Sequence, residues 1–443
     1  MNVTLIYPCI RNFGGFNSLG KNHEGCFILH GLPSIASCLE QQDHKVKLLD
    51  LRERIDWNDV ATWIKHDNSE VYGSYMSTLD FNEVKKTAQI IKQLKPKAKI
   101  IVGGPHPSIV PEVVSKEVCF DYTFVGEGEV TFPKMLEDLE AYPRIVQGVH
   151  PDLNKLPYEN REIFNMEKVL ATKHPVYPKP FINVISGRGC PFHCTFCKPG
   201  EDLIFGKFRM RSIDHFMGEI ELMRERYHYN ILMIDDDLFT ASPKYVMEWC
   251  DRYEHIGVPF AIQTRADLCY NNPEIFRRMR EVGLGWVRMG LESGNQRILN
   301  MMRKGTTVKQ NYGAVEICHK LGVQVIVNYM LGMPTETKTE VMDTINMIRK
   351  TRPEQRSAAF YTPIVGTDMY EDCKRMNLLV SEDPTVLGTR TISDQPRLKG
   401  VDYDWIQTQM YGRFFHQRHL ARKILNRYPA LGPVRKIVSK VIT

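Results

Sequence analysis

Three cysteines in one short loop are the side chains of this chain with the clearest capacity for chemistry. Cys190, Cys194 and Cys197 lie in the run GRGCPFHCTFCKPG, directly after the apolar stretch FINVIS. Three thiolates at the spacing CxxxCxxC can hold three corners of a four-iron, four-sulfur (4Fe-4S) cluster. No fourth cysteine lies nearby, so one iron would stay open to another ligand. The alternatives are a chance grouping among 11 cysteines or half of a zinc site, although structural zinc usually takes four ligands from paired knuckles.

The loop and the segments that follow it resemble the radical S-adenosylmethionine (SAM) superfamily. In that superfamily the open iron binds the amino and carboxylate groups of SAM, and an electron from the cluster cleaves SAM to methionine and a 5′-deoxyadenosyl radical. The resemblance implies that the protein positions, shields and tunes cofactors that supply the reactive chemistry. It also implies an electron donor such as flavodoxin or ferredoxin.

The elements that would position the cysteine loop form a strand and helix series over residues 181–375. Amphipathic helices such as IDHFMGEIELMRERY are predicted between the strands. The predicted strands are FINVIS, NILMIDDD, FAIQTRA, WVRMGLES, VQVIVNYMLGM and SAAFYTPI. This series resembles the partial (β/α)6 radical SAM barrel, and barrel chemistry is placed at the carboxyl ends of the strands. The cysteines follow the first strand, which is the expected end.

Polar residues at the ends of the second and third strands are candidates for SAM contacts. The resemblance implies that Phe196 lies against the adenine and that Asp235 and Asp236 face the amino group, where the family commonly has Gly-Gly-Glu. It also implies that Arg265, in QTRAD, takes the SAM carboxylate in a bidentate pair. From the residues alone, the aspartates also suit a solvated strand end or a helix cap, and Arg265 also suits a salt bridge to one of them.

The fourth and fifth strands end in further candidates. Glu292 and Ser293, in GLES, resemble the pair that contacts the ribose in this family. Carboxylates accept hydrogen bonds from ribose hydroxyls in dinucleotide-binding folds as well. Asn328 and Gly332, in NYMLGMPTET, resemble the segment beside the adenine.

Residues 1–140 predict a separate doubly wound, Rossmann-like α/β domain. Alternating strands and helices favour a parallel sheet with helices on both faces, and ligands of such sheets bind at the carboxyl ends of the strands. The predicted strands are VTLIYP, KVKLLDL, SEVYGSYMS, AKIIVGGPHP and FDYTFVGEGE. Such a domain ahead of a radical SAM barrel resembles the cobalamin-dependent radical SAM enzymes of the class B methyltransferase type.

Residues at the carboxyl ends of these strands are the candidate cobalamin contacts. Glycines let backbone approach a bulky ligand, although four glycines can also simply make tight turns in an unliganded sheet. The candidates are Gly103, Gly104, His106, Gly126, Glu127 and Gly128, together with Ser74, Tyr75 and Met76 in the loop SYMSTLD, which would face the lower side of cobalt. The sequence lacks DxHxxG, whose histidine binds cobalt in other cobalamin proteins. His106, on a different strand, is therefore expected to contact the nucleotide tail or to stabilise its own loop.

Two further segments complete the predicted organisation. Residues 141–180 are rich in proline and are predicted to be a linker, and residues 376–443 are predicted to be a basic, mostly helical extension. From Trp405 to Thr443 there are eight Lys or Arg and no Asp or Glu, so the rest of the chain carries about −2 (+6 minus 8). Apolar residues at helical spacing favour a cap folded onto the barrel. Peripheral contact with a membrane or with an acidic partner is the alternative.

Composition bounds the class of protein. Hydrophobic content of 43% and charged content of 25% are ordinary for a globular protein. No signal peptide is predicted, and no apolar run approaches the roughly 18 residues that cross a bilayer. The remaining cysteines are scattered and do not suggest a disulfide framework. We therefore expect a cytoplasmic protein that does not act on nucleic acid.

The resemblance implies one of two alternative reactions for this chain. The first is a methyltransferase that moves a methyl group from SAM, through methylcobalamin, to an unactivated carbon of a small molecule or peptide. The second is a cyclase, ring-contracting or oxidising enzyme that uses the same three cofactors, 4Fe-4S cluster, SAM and cobalamin, without methyl transfer. The sequence does not identify the substrate.

Overall fold

The computed structural model describes residues 1–8, 15–21, 27–174, 176–198, 200–383 and 398–411. Within these ranges the predicted α/β architecture is confirmed: a doubly wound sheet precedes a second, curled parallel sheet, and a helix follows. Residues 384–397 and 412–443, which hold most of the predicted basic extension, lie outside the described residues.

A six-stranded parallel sheet forms the first domain. Its strands are Asn2–Tyr7 (β1), Lys45–Asp50 (β2), Val71–Tyr75 (β3), Lys99–Gly103 (β4), Tyr122–Val125 (β5) and Ile145–Gln147 (β6). Its helices are Gly31–Glu40 (α1), Trp57–His66 (α2), Phe81–Leu94 (α3), Pro105–Ile109 (α4), Pro111–Val114 (α5) and Thr131–Met135 (α6). The strand order β2-β1-β3-β4-β5-β6 changes direction between β1 and β3, which is the switch point where such sheets bind ligands.

Strand β6 lies inside the segment that the sequence predicts to be a linker. Thr123 pairs with Ile145, so the first sheet continues beyond residue 140. The described rest of that segment contains a single-turn 3-10 helix, Arg161–Ile163, and a short α-helix, Met166–Ala171 (α7). The sequence does not predict β6 because a strand of three residues shows too little alternation to be recognised, and the prolines around it favour a loop instead.

The second sheet has the six parallel strands that the sequence predicts. They are Phe181–Val184 (β7), Ile231–Ile234 (β10), Phe260–Arg265 (β11), Leu284–Glu292 (β12), Gln324–Leu331 (β13) and Gln355–Phe360 (β14). The strand order is β14-β13-β12-β11-β10-β7, so β7 and β14 do not pair and the barrel is open. Two short antiparallel strands, Gly187–Arg188 (β8) and Arg209–Met210 (β9), form a ribbon beside it.

Helices alternate with the strands of the second sheet. They are Gly200–Phe205 (α8), Ile213–Arg226 (α9), Pro243–Tyr253 (α10), Ala266–Asn271 (α11), Pro273–Glu281 (α12), Gln296–Met301 (α13), Val308–Lys320 (α14), Lys338–Thr351 (α15) and Asp368–Arg375 (α16). Residues of β12 alternate between its two faces, as the period of a strand requires. Val287 and Met289 pack in the cluster shared with the helices, whereas Trp286 packs against a separate cluster on the inner face that includes Phe181.

One hydrophobic cluster extends through both sheets. It contains Leu5 and Phe124 of the first sheet, Phe164 of the connecting segment, and Val184 and Ile234 of the second. The two domains are therefore joined by continuous apolar packing, which is the main stabilising term in folding.

The described start of the C-terminal extension packs onto the barrel. A helix, Tyr403–Tyr411 (α17), lies against α15, and Ile406 is 3% exposed. Lys338 Nζ lies 4.9 Å from the centre of the Trp405 ring. This part of the extension has the contacts predicted for a cap, while its basic residues from position 413 onward lie outside the described ranges. In the part of the chain that the structure describes, every helix is too short or too polar to cross a membrane.

Candidate functional site

A cavity of about 320 Å³ lies between the two sheets. The carboxyl ends of β1, β3 and β4 and the loop after β5 form one wall, and the loops after β7 and β10 form the other. The polar and glycine residues on the first wall are His30, Gly31, Gly73, Ser74, Tyr75, Gly103, Gly104, Gly126, Glu127, Gly128 and Glu129, and those on the second are Gly187, Arg188, Asp235, Asp236 and Asp237. The cavity therefore occupies the position at which both kinds of sheet bind ligands.

The cysteine loop follows β7 and the first strand of the ribbon. Cys190 is half-buried, Cys194 is buried and Cys197 is exposed. The backbone N–H of Cys197 donates to the carbonyl of Cys194 over 3.0 Å, and the N–H of Thr195 donates to the carbonyl of Met302 over 2.9 Å. The loop is thus a tight turn that is anchored to the end of α13.

The thiols of the loop fit a metal cluster better than a set of free cysteines. Although part of Cys197 is exposed, the protein atoms around its thiol desolvate it, and this effect, followed by the charges of Glu201 and Asp237 and of the other two cysteines, raises the pKa of Cys197 above its usual range. Burial raises the pKa of Cys190 too. Thiolates at these positions therefore require a cation, which the irons of a cluster supply.

The structure also bears on the zinc alternative. Among the described residues, no three His, Cys, Asp or Glu side chains come close enough together to hold a single metal ion. A 4Fe-4S cluster places each cysteine on a different iron, so its three ligands need not converge on one point. The loop is consistent with the cluster, and a mononuclear zinc site has no ligand set in the part of the chain that the structure describes.

Arg265 has partners other than those the sequence predicts. Its Nε and Nη2 atoms lie 3.0 and 3.1 Å from the two carboxylate oxygens of Asp267, so its salt bridge is not to Asp235 or Asp236. Its Nη1 donates to Cys194 Sγ over 3.5 Å, and the guanidinium lies 3.7 Å from the centre of the Phe192 ring. The bidentate face of Arg265 is therefore taken by Asp267, because the two residues follow one another around the end of β11. A bidentate pair with the SAM carboxylate would have to displace it.

Phe196, Lys304 and Glu292 form a group on one side of the cysteine loop. Lys304 Nζ donates to Glu292 Oε1 over 3.0 Å and lies 6.0 Å from the centre of the Phe196 ring. Glu292 has φ +60° at a bulge in β12, and a Cβ at Gly290 would lie 2.2 Å from its carboxylate. The glycine therefore makes room for the carboxylate predicted to contact ribose.

The other three SAM candidates on these strands differ in their surroundings. Ser293 is fully buried, and its hydroxyl lies 3.0 Å from the hydroxyl of Thr344, which ties the strand end to α15. Asn328 is half-buried and pairs with Gly290 of β12. Gly332 has φ +73°, and a Cβ there would lie 3.1 Å from Val401. Ser293 and Gly332 thus contact neighbouring elements of the chain, and the ribose and adenine contacts predicted for all three remain predictions.

The aspartates after β10 divide between two tasks. Asp236 accepts hydrogen bonds from the backbone N–H of Ser186, 2.6 Å away, and from the Ser186 hydroxyl, so it holds the segment that leads into the cysteine loop. Burial raises the pKa of Asp236 to about 6. Asp235 accepts from Gln263 Nε2 over 3.0 Å and lines the cavity. Of the two, Asp235 has the surroundings that suit the predicted contact with the SAM amino group.

The glycine loops of the first domain fit a large ligand. Gly126 has φ +80°, and the only atom that an added Cβ would approach is the carbonyl oxygen of Ile204, 3.7 Å away. At Gly103 the nearest such atom is Phe124 Cβ, at 3.5 Å. Side chains at these positions would occupy cavity space, so the glycines let a bulky cofactor such as cobalamin lie against the backbone.

The loop after β3 is only partly as predicted. Ser74 and Tyr75 line the cavity. Met76 does not: its side chain is fully buried in the hydrophobic cluster that includes Phe81 and Val102. Met76 is therefore corrected to a core residue, and Ser74 and Tyr75 remain the candidates for the lower side of cobalt.

His106 is also turned away from the cavity. It is 2% exposed, its Nδ1 lies 3.0 Å from the Thr78 hydroxyl, and its ring packs edge-on against Phe81. Of the two roles predicted for His106, these contacts fit the stabilisation of its own loop and not a contact with the nucleotide tail.

The burial of His106 predicts a pH dependence of stability. Burial lowers its pKa to about 4, so between about pH 6.5 and pH 4 the unfolded chain binds a proton that the folded chain does not. We expect lowering the pH from 7 to 5 to cost about 2 kcal/mol of unfolding free energy through this group, as measured by chemical denaturation. His106→Gln should lose this part of the pH slope, whereas His255→Gln, at an exposed position, should keep it. Equal slopes for His106→Gln and the unmodified protein would contradict the assignment.

A group of buried charges crosses the cavity between the domains, and no local sequence pattern indicates it. Arg188 Nη1 lies 2.6 Å from Glu127 Oε1, and Arg188 Nη2 lies 2.6 Å from Glu129 Oε1. Arg209 Nη2 lies 2.6 Å from Glu127 Oε2. The carboxylate of Glu127, predicted to bind cobalamin, is thus engaged by two guanidinium groups of the second domain.

Comparison with known proteins agrees with the division of the chain into two domains. The Radical SAM superfamily model matches residues 184–348, and the B12 binding domain model matches residues 19–136. The chain is 28% identical to the uncharacterized methyltransferase PH0819 of Pyrococcus horikoshii, over 79% of each chain. It is 23% identical to the anaerobic magnesium-protoporphyrin IX monomethyl ester cyclase of Rubrivivax gelatinosus, over 68% of this chain and 58% of the cyclase.

A solved structure shows the same fold. The radical SAM methyltransferase TsrM from Kitasatospora setae, determined with cobalamin and a [4Fe-4S] cluster, matches with a TM-score of 0.66 at 15% identity. The match covers 84% of this chain and 75% of that protein. The order of a cobalamin-type domain followed by a partial radical SAM barrel, predicted from the sequence, is confirmed.

Proposed function

We propose that the chain transfers a methyl group from SAM, through methylcobalamin, to an unactivated carbon of a small-molecule or peptide substrate, because it matches the radical SAM and B12 binding models and is similar to a methyltransferase over most of its length. When bound, the cluster and SAM supply a 5′-deoxyadenosyl radical, and cobalamin carries the methyl group. The observation that carries the proposal is a cavity between the two sheets. Glycine loops of the first domain line one wall, and the segments after β7 and β10, the first of which leads into the cysteine loop, line the other.

The residues of the chain then bind and position these groups and exclude water. Cys190, Cys194 and Cys197 hold the cluster. The loops at Gly103 and Gly126 admit cobalamin, and large apolar side chains line much of the cavity. These side chains are Leu5, Leu29, Leu32, Ile35, Ile101, Phe124, Phe132, Ile185, Ile204 and Phe205. An apolar, water-poor cavity protects a reactive radical from side reactions.

A reaction without methyl transfer is the second candidate, and the similarity to the Rubrivivax gelatinosus cyclase favours it. Such an enzyme would use the same cofactors for cyclisation, ring contraction or oxidation. The two candidates differ in whether the product contains a carbon atom from SAM.

Labelled SAM distinguishes the two candidates. We expect the reconstituted enzyme, incubated without oxygen with cell extract, a reductant and SAM carrying a ¹³CD₃ methyl group, to give a product that contains the intact label by mass spectrometry. The control is the same reaction without cobalamin, in which labelled product should be absent. A product that forms together with 5′-deoxyadenosine but carries no label would support the second candidate and contradict the first.

A further inference from the structure

Arg188 lies between the two loops that form opposite walls of the cavity. It belongs to β8 and precedes the first cysteine of the cluster loop by two residues. Its two terminal nitrogens each lie 2.6 Å from a carboxylate of the first domain, one of Glu127 and one of Glu129. One guanidinium group thus connects the cysteine loop to the run GEGE that follows β5.

The ribbon of β8 and β9 brings a second guanidinium to the same place. Arg188 and Arg209 are directly paired in this ribbon, and Arg209 Nη2 reaches the other carboxylate oxygen of Glu127. Arg209 also donates to the carbonyls of Pro151, over 2.9 Å, and Phe205, over 3.0 Å. Each of the two carboxylate oxygens of Glu127 is therefore paired with a different arginine of the ribbon.

The charges are buried and balanced. The side chains of Arg188, Glu127 and Glu129 are 10%, 4% and 3% exposed. The positive charge of Arg188 holds the pKa of Glu129 below its usual range against the effect of burial, and the Ser34 hydroxyl of α1 donates to the same carboxylate over 2.9 Å. Buried ion pairs of this kind have short, directional hydrogen bonds that resist displacement.

The backbone beside these residues is closely packed against its neighbours. A Cβ at Gly187 would lie 2.8 Å from the carbonyl oxygen of Arg209, and one at Gly128 would lie 3.0 Å from Ile35. A planar guanidinium can span two carboxylates at once, whereas a lysine ammonium acts as a single point charge. Arg188 is the group that contacts both carboxylates at once, while Arg209 and His150 add contacts to Glu127 alone.

We propose that Arg188 is a positioning residue that fixes the distance between the cysteine loop and the glycine loop, and through it couples SAM cleavage to methyl delivery. The coupling rests on the proposed function, whereas the fixed distance does not. With the ion pairs broken, both cofactors still have their binding residues, but the two loops no longer keep one separation. SAM cleavage then continues without a matching yield of product.

The test uses the full-length enzyme with both cofactors. Arg188→Lys keeps the charge but loses the second carboxylate, and Glu129→Gln weakens the same contact from the other side. Arg252→Gln is the control, because Arg252 forms an exposed ion pair with Asp214. Cluster and cobalamin contents are measured first, by iron analysis and absorption. Pulsed electron paramagnetic resonance then gives the distribution of distances between cob(II)alamin and the reduced cluster.

We expect both test variants to load the cofactors normally, to broaden the distance distribution, and to release at least about 10 times more 5′-deoxyadenosine per methylated product than the unmodified enzyme, as misplacement of reacting groups predicts. Arg252→Gln should match the unmodified enzyme. A narrow, unchanged distribution in both variants would overturn the proposal, as would a parallel fall of 5′-deoxyadenosine and product. If Arg188→Lys does not fold, Glu129→Gln carries the same test. If the unmodified enzyme makes no methylated product, the proposed function fails, while the distance measurement still decides the role of Arg188.

Discussion

Replacing any one of Cys190, Cys194 and Cys197 by alanine is expected to abolish formation of 5′-deoxyadenosine. Each replacement removes one of the three thiolates predicted to hold the cluster. We expect the variants to contain little iron after anaerobic reconstitution and to give 5′-deoxyadenosine below the detection limit of liquid chromatography. The loss should be the same for all three positions, because the cluster needs each ligand.

The matched control for these variants is Cys119→Ala. Cys119 is buried in the first domain, 5% exposed and far along the chain from the loop. This variant should keep its iron and its SAM cleavage, with at most a modest loss of stability from the smaller side chain. A triad variant that kept normal iron content and turnover would refute the cluster assignment.

Replacing Arg265 by glutamine is expected to slow SAM cleavage by about 10- to 100-fold, the range typical of residues that hydrogen-bond to a metal ligand without binding the metal. Arg265 donates to the sulfur of Cys194, and loss of a positive donor beside a cluster thiolate disfavours the reduced, more negative cluster. The variant also leaves Asp267, which is 9% exposed, without its ion-pair partner. Removing one member of a buried pair costs about 3–5 kcal/mol. Both the reduction potential of the cluster and the free energy of unfolding should therefore fall.

Two measurements separate this role from the contact with the SAM carboxylate that the sequence predicts. Spectroelectrochemical titration gives the reduction potential of the cluster, and initial rates give KM for SAM. We expect a lower potential with little change in KM, because Asp267 already occupies the bidentate face of Arg265. An unchanged potential with a raised KM would instead favour the SAM carboxylate as its partner. Arg265→Lys is the control for charge alone.

Local patterns in the sequence were sufficient for most of the fold. The six strands of the barrel are apolar runs bounded by polar residues, and each overlaps its predicted strand, with ends that differ by up to four residues. The cysteine loop could be predicted because its three ligands are close together along the chain. Helix α2 was missed, although Asp56 accepts hydrogen bonds from the N–H groups of Asn58 and Asp59 and so gives it a recognisable start.

The contacts between the two domains could not be predicted in the same way. Arg188 and Glu127 are 61 positions apart, and nothing in either segment shows that they meet. Met76 was misassigned for a related reason: it is buried in a cluster with Phe81 and Val102, and this packing joins elements that the local sequence does not link. Pairings of this kind depend on how the sheets are placed, which follows from the whole chain and not from any window of it.

The continuous hydrophobic cluster that joins the sheets has a consequence for how the protein responds to its vitamin supply. Because one large apolar cluster contains residues of both sheets, we expect the two domains to unfold together as one cooperative unit, even though the first domain also has a smaller cluster of its own. A ligand that binds only the folded state then stabilises every part of that unit. We therefore expect bound cobalamin to protect the second domain from proteolysis as well, and we expect cells that lack the vitamin to contain less of the whole protein.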